Sequence, residues 1–234
     1  MLSSYSREAL KKVSTATLTT VLFKRGLRNA FIQGIFLLSA NRASRMVGEA
    51  FTLRYIPARE DIDQLGAFEG RGHPQREAIE ACPPGQVLVM DARRDASAAT
   101  GGDILMTRLM VRGAAGIVTD GGLRDSTTIE KLEFPVYCAA RSAPLNLVRH
   151  HAIDTQVPIG CGGVAVYPGD VLVGDGEGVV VIPAKMAEEV AKEAEAQTVF
   201  EDWVEARVKE GRSIFGLYPP NAQTKAEFEA WKKK

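Results

Sequence analysis

The sequence predicts one α/β domain followed by a C-terminal helical extension, and three stretches carry that prediction. Val87-Leu88-Val89-Met90-Asp91 and Ala115-Gly116-Ile117-Val118-Thr119 are short apolar runs of the kind buried parallel strands use, and Asp103 to Arg112 between them has helical spacing. This succession is a β-loop-α-β unit, so its strands are expected to run parallel with a right-handed crossover. A β-rich part follows, Val157 to Tyr167 and Val171 to Ile182, broken by glycines and ended by Pro183. From Ala184 to about Gly211 a charged amphipathic helix presents Met186, Val190, Ala194, Val199, Trp203 and Val208.

The remaining elements are justified in chain order. Leu10, Val13, Leu18, Val21 and Leu22 predict one helix from Ser6 to Arg25, with Gly26 as its C-terminal cap. Met46 to Ile56 reads as a strand ended by Pro57, and His73 to Ala81 as a helix with Pro74 in its first turn, stopped by Pro83-Pro84-Gly85. Gly174 to Gly178 precedes Val179-Val180-Val181, a strand, so the glycines predict a hairpin turn and not a cofactor loop opening a helix. The expected division is an α/β domain over 1–192 and a helical extension over 193–234.

Composition narrows the functional classes. The 234 residues carry 29 Lys+Arg against 29 Asp+Glu, which argues against a nucleic-acid backbone binder. Neutrality also lowers self-repulsion, which favours association between copies. Cys82, Cys138 and Cys161 are dispersed and odd in number, the pattern of buried, unpaired thiols in a reducing compartment. Neither a secretory leader nor a membrane-length apolar run is visible, so the expected setting is cytoplasmic, with no membrane partner.

The candidate chemistry lies on two loops. In a parallel sheet, ligands bind beyond the carboxyl ends of the strands. The loop after Asp91 leads to Asp103, and the loop after Thr119 carries Arg124-Asp125, so residues separated by twenty positions should meet at one edge. Gly101-Gly102 permit close backbone approach, and the Ile104 and Leu105 amides open a helix that can bind an anion. One guanidinium, two carboxylates and free amides suit a divalent metal, Mg²⁺ or Mn²⁺, beside a small 2-oxo acid. Asp125 is the expected direct ligand and Asp103 the holder of a metal-bound water. Arg124 would stabilise the oxyanion of an enolate during carbon–carbon cleavage. Lys131 is the one nearby lysine, and nothing in the sequence lowers its pKa for a Schiff base. An Arg-Asp pair beside a glycine turn is equally the signature of a surface turn with a local ion pair.

Gly102-Asp103-Ile104-Leu105 followed by Gly113-Ala114-Ala115-Gly116-Ile117-Val118-Thr119-Asp120-Gly121-Gly122-Leu123-Arg124-Asp125 resembles the signature of the RraA-like family. Pro168-Gly169-Asp170 and the run from Gly174 to Pro183 resemble its C-terminal half. The resemblance spans roughly Thr15 to Glu193 and implies a β/β/α swivelling-type domain, assembled as homotrimers or homohexamers with interfacial sites. It implies a class II aldolase of the 4-hydroxy-4-methyl-2-oxoglutarate / 4-carboxy-4-hydroxy-2-oxoadipate type, which also decarboxylates oxaloacetate. Asp125 would then bind the metal, Asp103 a metal water, Arg124 the substrate carbonyl, and the Gly102–Leu105 segment the pyruvyl carboxylate through the Ile104 and Leu105 amides. Those aldolases tend to carry an acidic residue where this chain has Thr128, and the next acid is Glu130. The alternative the resemblance offers is a non-catalytic regulator of ribonuclease E, whose founding member lacks the aspartate after the arginine.

Other polar residues have milder readings. His150 and His151 are adjacent and should diverge, so a shared metal is not expected. His73 is expected at a helix cap or on the surface. Arg54, Arg59, Glu60 and Asp61 read as a charged rim, or as the recognition element for a second carboxylate. Cys161 among glycines is expected to be buried and inert, and Phe215, Tyr218 and Trp231 to dock the tail on a neighbouring subunit.

Overall fold

The computed structural model describes residues 2–39 and 45–233. Two helices, α1 (Ser4–Leu10) and α2 (Thr15–Lys24), open the chain where one was expected. The break follows from capping: Ser14 accepts the Thr17 amide at 3.0 Å and so starts a new helix instead of continuing the old one. Then come β1 (Phe36–Leu37), β2 (Met46–Pro57), α3 (Pro74–Ala81), β3 (Val87–Asp91), α4 (Asp103–Val111) and β4 (Gly116–Thr119). The middle of the chain forms β5 (Gly122–Leu123), α5 (Ser126–Ile129), β6 (Val136–Cys138) and β7 (Ala140–Arg141). The β-rich part supplies β8 (His150–Thr155), β9 (Ile159–Cys161), β10 (Val164–Val166), β11 (Val171–Gly174) and β12 (Val179–Ile182), before α6 (Ala187–Lys209) and α7 (Ala222–Trp231).

A mixed, curled sheet of eight strands runs β1-β6-β4-β3-β2-β11-β12, with β8 added to β2. β2 organises it by changing partners along its length. Met46–Glu49 pairs antiparallel with β11, Ala50–Arg54 pairs parallel with β3, and Leu53–Pro57 pairs antiparallel with β8. β3 and β4 are parallel, so their carboxyl ends open on one edge, as the β-loop-α-β reading requires. β11 and β12 form the expected antiparallel hairpin around Gly174–Gly178.

The period-two alternation of β3 builds the layers. Leu88 and Met90 face a core shared with Met106 and Leu109 of α4 and Ile79 of α3. Val87 and Val89 face the opposite way, onto Ile159, Cys161, Val164 and Val166 of the β9–β10 hairpin. Hairpin, sheet and helices thus stack in the β/β/α order. A third cluster packs α1, α2 and α6 on Val171, Val173, Val180 and Ile182.

α6 runs unbroken through position 192, so the extension begins inside a helix: its first turns bury Val190 and Ala194 against the domain, and its last turns carry a separate cluster. That cluster, Trp203, Val204 and Leu217 with Phe200 and Phe228, folds the tail back on its own chain. The aromatics singled out in the sequence stay at the periphery of that contact, with Phe215 91% exposed. All three cysteines are buried and unpaired. Burial pushes Cys82 up to about 11 and Cys138 up to about 12, so neither is a thiolate near neutral pH.

Candidate active site

The edge beyond β3 and β4 carries an open cleft of about 480 Å³, lined on one side by Gly101–Leu105 and Arg124–Asp125. The two loops meet through backbone: the Arg124 amide donates to Gly101 O at 3.1 Å, and the Thr100 amide to Gly122 O at 2.8 Å. Gly102 leaves the room that the Asp125 carboxylate occupies, because a Cβ on it would lie 2.4 Å from Asp125 Oδ2 and 3.1 Å from Arg124 Cγ and would push the carboxylate aside. Asp125 adopts a left-handed conformation (φ 54°) as the cap of α5, an uncommon one for a non-glycine residue and one that places it beside Gly102. Arg124 Nε donates to Asp125 Oδ2 at 3.3 Å, both side chains being exposed. Asp103, Arg124 and Asp125 thus meet at one edge, where the β-loop-α-β reading puts them.

The helix-start amides are engaged within the chain. Ile104 N–H donates to Asp103 Oδ1 at 2.8 Å, and Leu105 N–H donates to Gly102 O at 3.1 Å. An incoming carboxylate must displace or share these bonds. Ile104 itself projects from the cleft rim, 76% exposed. Thr128 and Glu130 do not line the cleft, and Glu130 is paired with Arg141. Among the described residues, no group of three or more His, Cys, Asp or Glu gathers as a metal cage. The donor set that remains, two carboxylates on an open edge with room for water, fits Mg²⁺, which keeps several waters and uses one or two carboxylates.

A second part of the lining, drawn from other elements, was missed in the sequence. This second wall consists of Gln75 and Arg76 at the start of α3, Phe68, and Leu145–Asn146. Gln75 Nε2 donates to Thr100 O at 2.5 Å, and the Arg76 guanidinium carbon lies 4.7 Å from the centre of the Phe68 ring. Arg54 and Arg59 fit the charged-rim reading and not the recognition of a second carboxylate: Arg54 pairs with Asp154, and Arg59 pairs with Asp61 at 2.6 Å. Neither lines the cleft.

Two buried groups hold the loops around it. Asp120, at the end of β4, accepts the Ala92 amide at 2.7 Å, the Gly162 amide at 3.0 Å and the Arg94 amide at 3.1 Å. Burial nevertheless raises its pKa above the usual carboxylate range. The two histidines diverge as expected, His151 to Asp63 at 2.7 Å and His150 inward. Arg93 can only donate, so His150 Nδ1 accepts from it at 3.3 Å and Nε2–H donates to Ala98 O at 3.3 Å. This neutral tautomer anchors the strand-end loop that continues into Ala99 and Gly101 of the cleft. Burial lowers the pKa of His150 below its usual value.

Comparison with known proteins places this architecture. A crystal structure of an uncharacterized protein from Pseudomonas syringae pv. tomato superposes with a TM-score of 0.79 at 25% identity, covering 93% of this chain and 98% of that one. RraAS2 of Streptomyces coelicolor, described as an unusual member of the RNase ES inhibitor RraA protein family, follows at 0.76 and 29%, covering 87% and 97%. The family model for RraA-like proteins, Aldolase/RraA, matches residues 15–181, and the chain belongs to that family. A protein of Halalkalibacterium halodurans that carries the provisional name 4-hydroxy-4-methyl-2-oxoglutarate aldolase is 39% identical over 119 residues, 50% of this chain and 56% of that protein. The chain thus spans little more than half the length of that relative.

Proposed function

We propose that the chain is a divalent-metal-dependent lyase that cleaves a carbon–carbon bond in a pyruvate-type 2-oxo acid, as a 4-hydroxy-4-methyl-2-oxoglutarate aldolase or oxaloacetate decarboxylase does. One observation supports it above the others: Asp103, Arg124 and Asp125 line one cleft, with Gly102 leaving the room that Asp125 occupies. Asp125 would hold Mg²⁺ or Mn²⁺ directly and Asp103 through a water. When bound, the ion supplies the positive charge that orients a 2-oxo acid and lowers the energy of its developing oxyanion.

The chain's own residues do the rest. The N-terminus of α4 attracts the substrate carboxylate, which would take the Ile104 and Leu105 amides once Asp103 gives up its bond from Ile104 N–H; Asp103 would then be free to help hold the ion through water. When the C3–C4 bond breaks, C4 leaves as a ketone whose hydroxyl has given up its proton, or as CO2, and the electron pair becomes the C2–C3 double bond of an enolate with negative charge on the substrate C2 oxygen. Arg124 meets that charge: its Nε is engaged by Asp125, and its two Nη groups remain to donate. Assembly as a homotrimer or homohexamer belongs to the same reading, and light scattering measures it.

The test is pyruvate release from oxaloacetate and 4-hydroxy-4-methyl-2-oxoglutarate with added Mg²⁺ or Mn²⁺. Wild type should release pyruvate, and Arg124→Ala and Asp125→Ala should lose it. Inactivity of wild type on every substrate removes the lyase reading, and equal activity of all three proteins removes the site. The likeness to RraAS2 keeps a second reading, a metal-independent protein regulator of ribonuclease E activity. Slowed RNA cleavage on adding the protein without metal would favour it.

A further inference from the structure

Asn146 is 4% exposed, yet neither its Oδ1 nor its Nδ2 has a well-formed hydrogen-bond partner. The Tyr55 hydroxyl, which bonds Thr100 O at 3.3 Å, is the polar group beside this amide and satisfies it only in part. A buried amide without a well-formed partner destabilises the free protein, so its retention points to a partner that arrives with a ligand. Asn146 lines the same cleft as Arg76 and Arg124. The half-buried Arg76 guanidinium is held against Phe68, with a buried Nε that lacks a partner. The cleft's other guanidinium already answers a carboxylate, since Arg124 faces Asp125. Arg76 pairs with no acidic residue among the described residues, unlike Arg54, Arg59 and Arg108, which are paired nearby.

We infer that Arg76 and Asn146 form a second anchor, which binds a carboxylate at the far end of the 2-oxo acid and so determines specificity. This rests on the lyase reading for the position of the pyruvyl end. A guanidinium and a primary amide together offer several N–H donors and one acceptor, a set that matches a carboxylate better than a methyl or a sugar hydroxyl chain. The anchor grips the fragment that leaves, and Arg124 the fragment that stays.

The probes are 2-oxoglutarate and 2-oxopentanoate, which share a five-carbon 2-oxo acid chain and differ in the distal carboxylate. Their dissociation constants are measured by calorimetry with Mg²⁺ present, for wild type, Arg76→Met and Asn146→Leu. Wild type should bind 2-oxoglutarate at least about tenfold more tightly. Both variants should bring the two probes within about twofold of each other, leaving the 2-oxopentanoate value unchanged. No preference in wild type, or equal weakening of both probes in the variants, overturns the anchor while leaving the lyase reading intact. Binding of neither probe to any protein contradicts the lyase reading and removes the anchor with it. A second measurement separates a ligand role from a structural one. Asn146→Leu should raise the Tm of the free protein by about 2–4 °C, because it removes an unsatisfied buried amide. A fall in Tm would mean the amide serves the fold, and would overturn its part in the anchor.

Discussion

Within one cleft, Arg124 and Asp125 stand in solvent and answer each other at 3.3 Å, whereas the half-buried Arg76 and the buried Asn146 meet no acidic residue among the described residues and keep buried nitrogens without a well-formed partner. The first wall is electrostatically satisfied without a ligand and must rearrange to work. The second is unsatisfied without a ligand and becomes satisfied only by binding. A wall of the first kind suits chemistry, where interactions should strengthen in the transition state. One of the second kind suits selection, because it rewards a ligand in the ground state.

Substitutions on the two walls should therefore separate. The largest effect is expected from Arg124→Ala and Asp125→Ala, each lowering kcat for pyruvate release by about 100- to 1,000-fold. Arg76→Met should instead raise KM for a dicarboxylate substrate by about tenfold or more with kcat little changed. Gly102→Ala tests the first wall from beneath. Its new Cβ would overlap Asp125 Oδ2, so the carboxylate must move, and about a tenfold loss of kcat/KM with a raised metal requirement is expected. An unchanged metal titration would show that Asp125 can hold its role from a shifted position.

The smallest effect concerns the anchoring histidine. The His150 pKa is lowered in the folded state, so between that lowered value and about 6.5 the unfolded chain binds more protons. Stability should accordingly be full above about pH 6.5 and fall as the pH drops below it. Thermal melts of wild type and His150→Gln between pH 7 and pH 5 should show a shallower decline in the variant. Parallel declines would mean that other groups carry the acid sensitivity.

These contrasts also explain what could be read from the sequence. The first wall was legible because Asp103, Arg124 and Asp125 follow two strands of a single β-loop-α-β unit, and parallel pairing alone carries them to one edge. The layer order was legible for a similar reason, since each strand of that unit reports its two faces by alternation. The second wall joins the start of α3 to a turn seventy residues later, and its defining property, burial without a partner, is tertiary. Arg76 reads in sequence as one more charge on an amphipathic helix, and Asn146 as a loop residue. Arg54 and Arg59 look like better anion binders until Asp154 and Asp61 are seen beside them. The split of the first helix and the return of the tail onto α6 escaped notice differently. A serine cap and an aromatic cluster decided them against a hydrophobic period that would have allowed either outcome.

The measurement that bears most directly on the division of labour is a steady-state comparison of wild type, Arg124→Ala and Arg76→Met on 4-hydroxy-4-methyl-2-oxoglutarate, whose distal carboxylate is not itself cleaved, with kcat and KM resolved in the same assay. The loss should fall on kcat for Arg124→Ala and on KM for Arg76→Met. Losses of the same kind in both variants, or in neither, would contradict the assignment of chemistry to one wall and selection to the other.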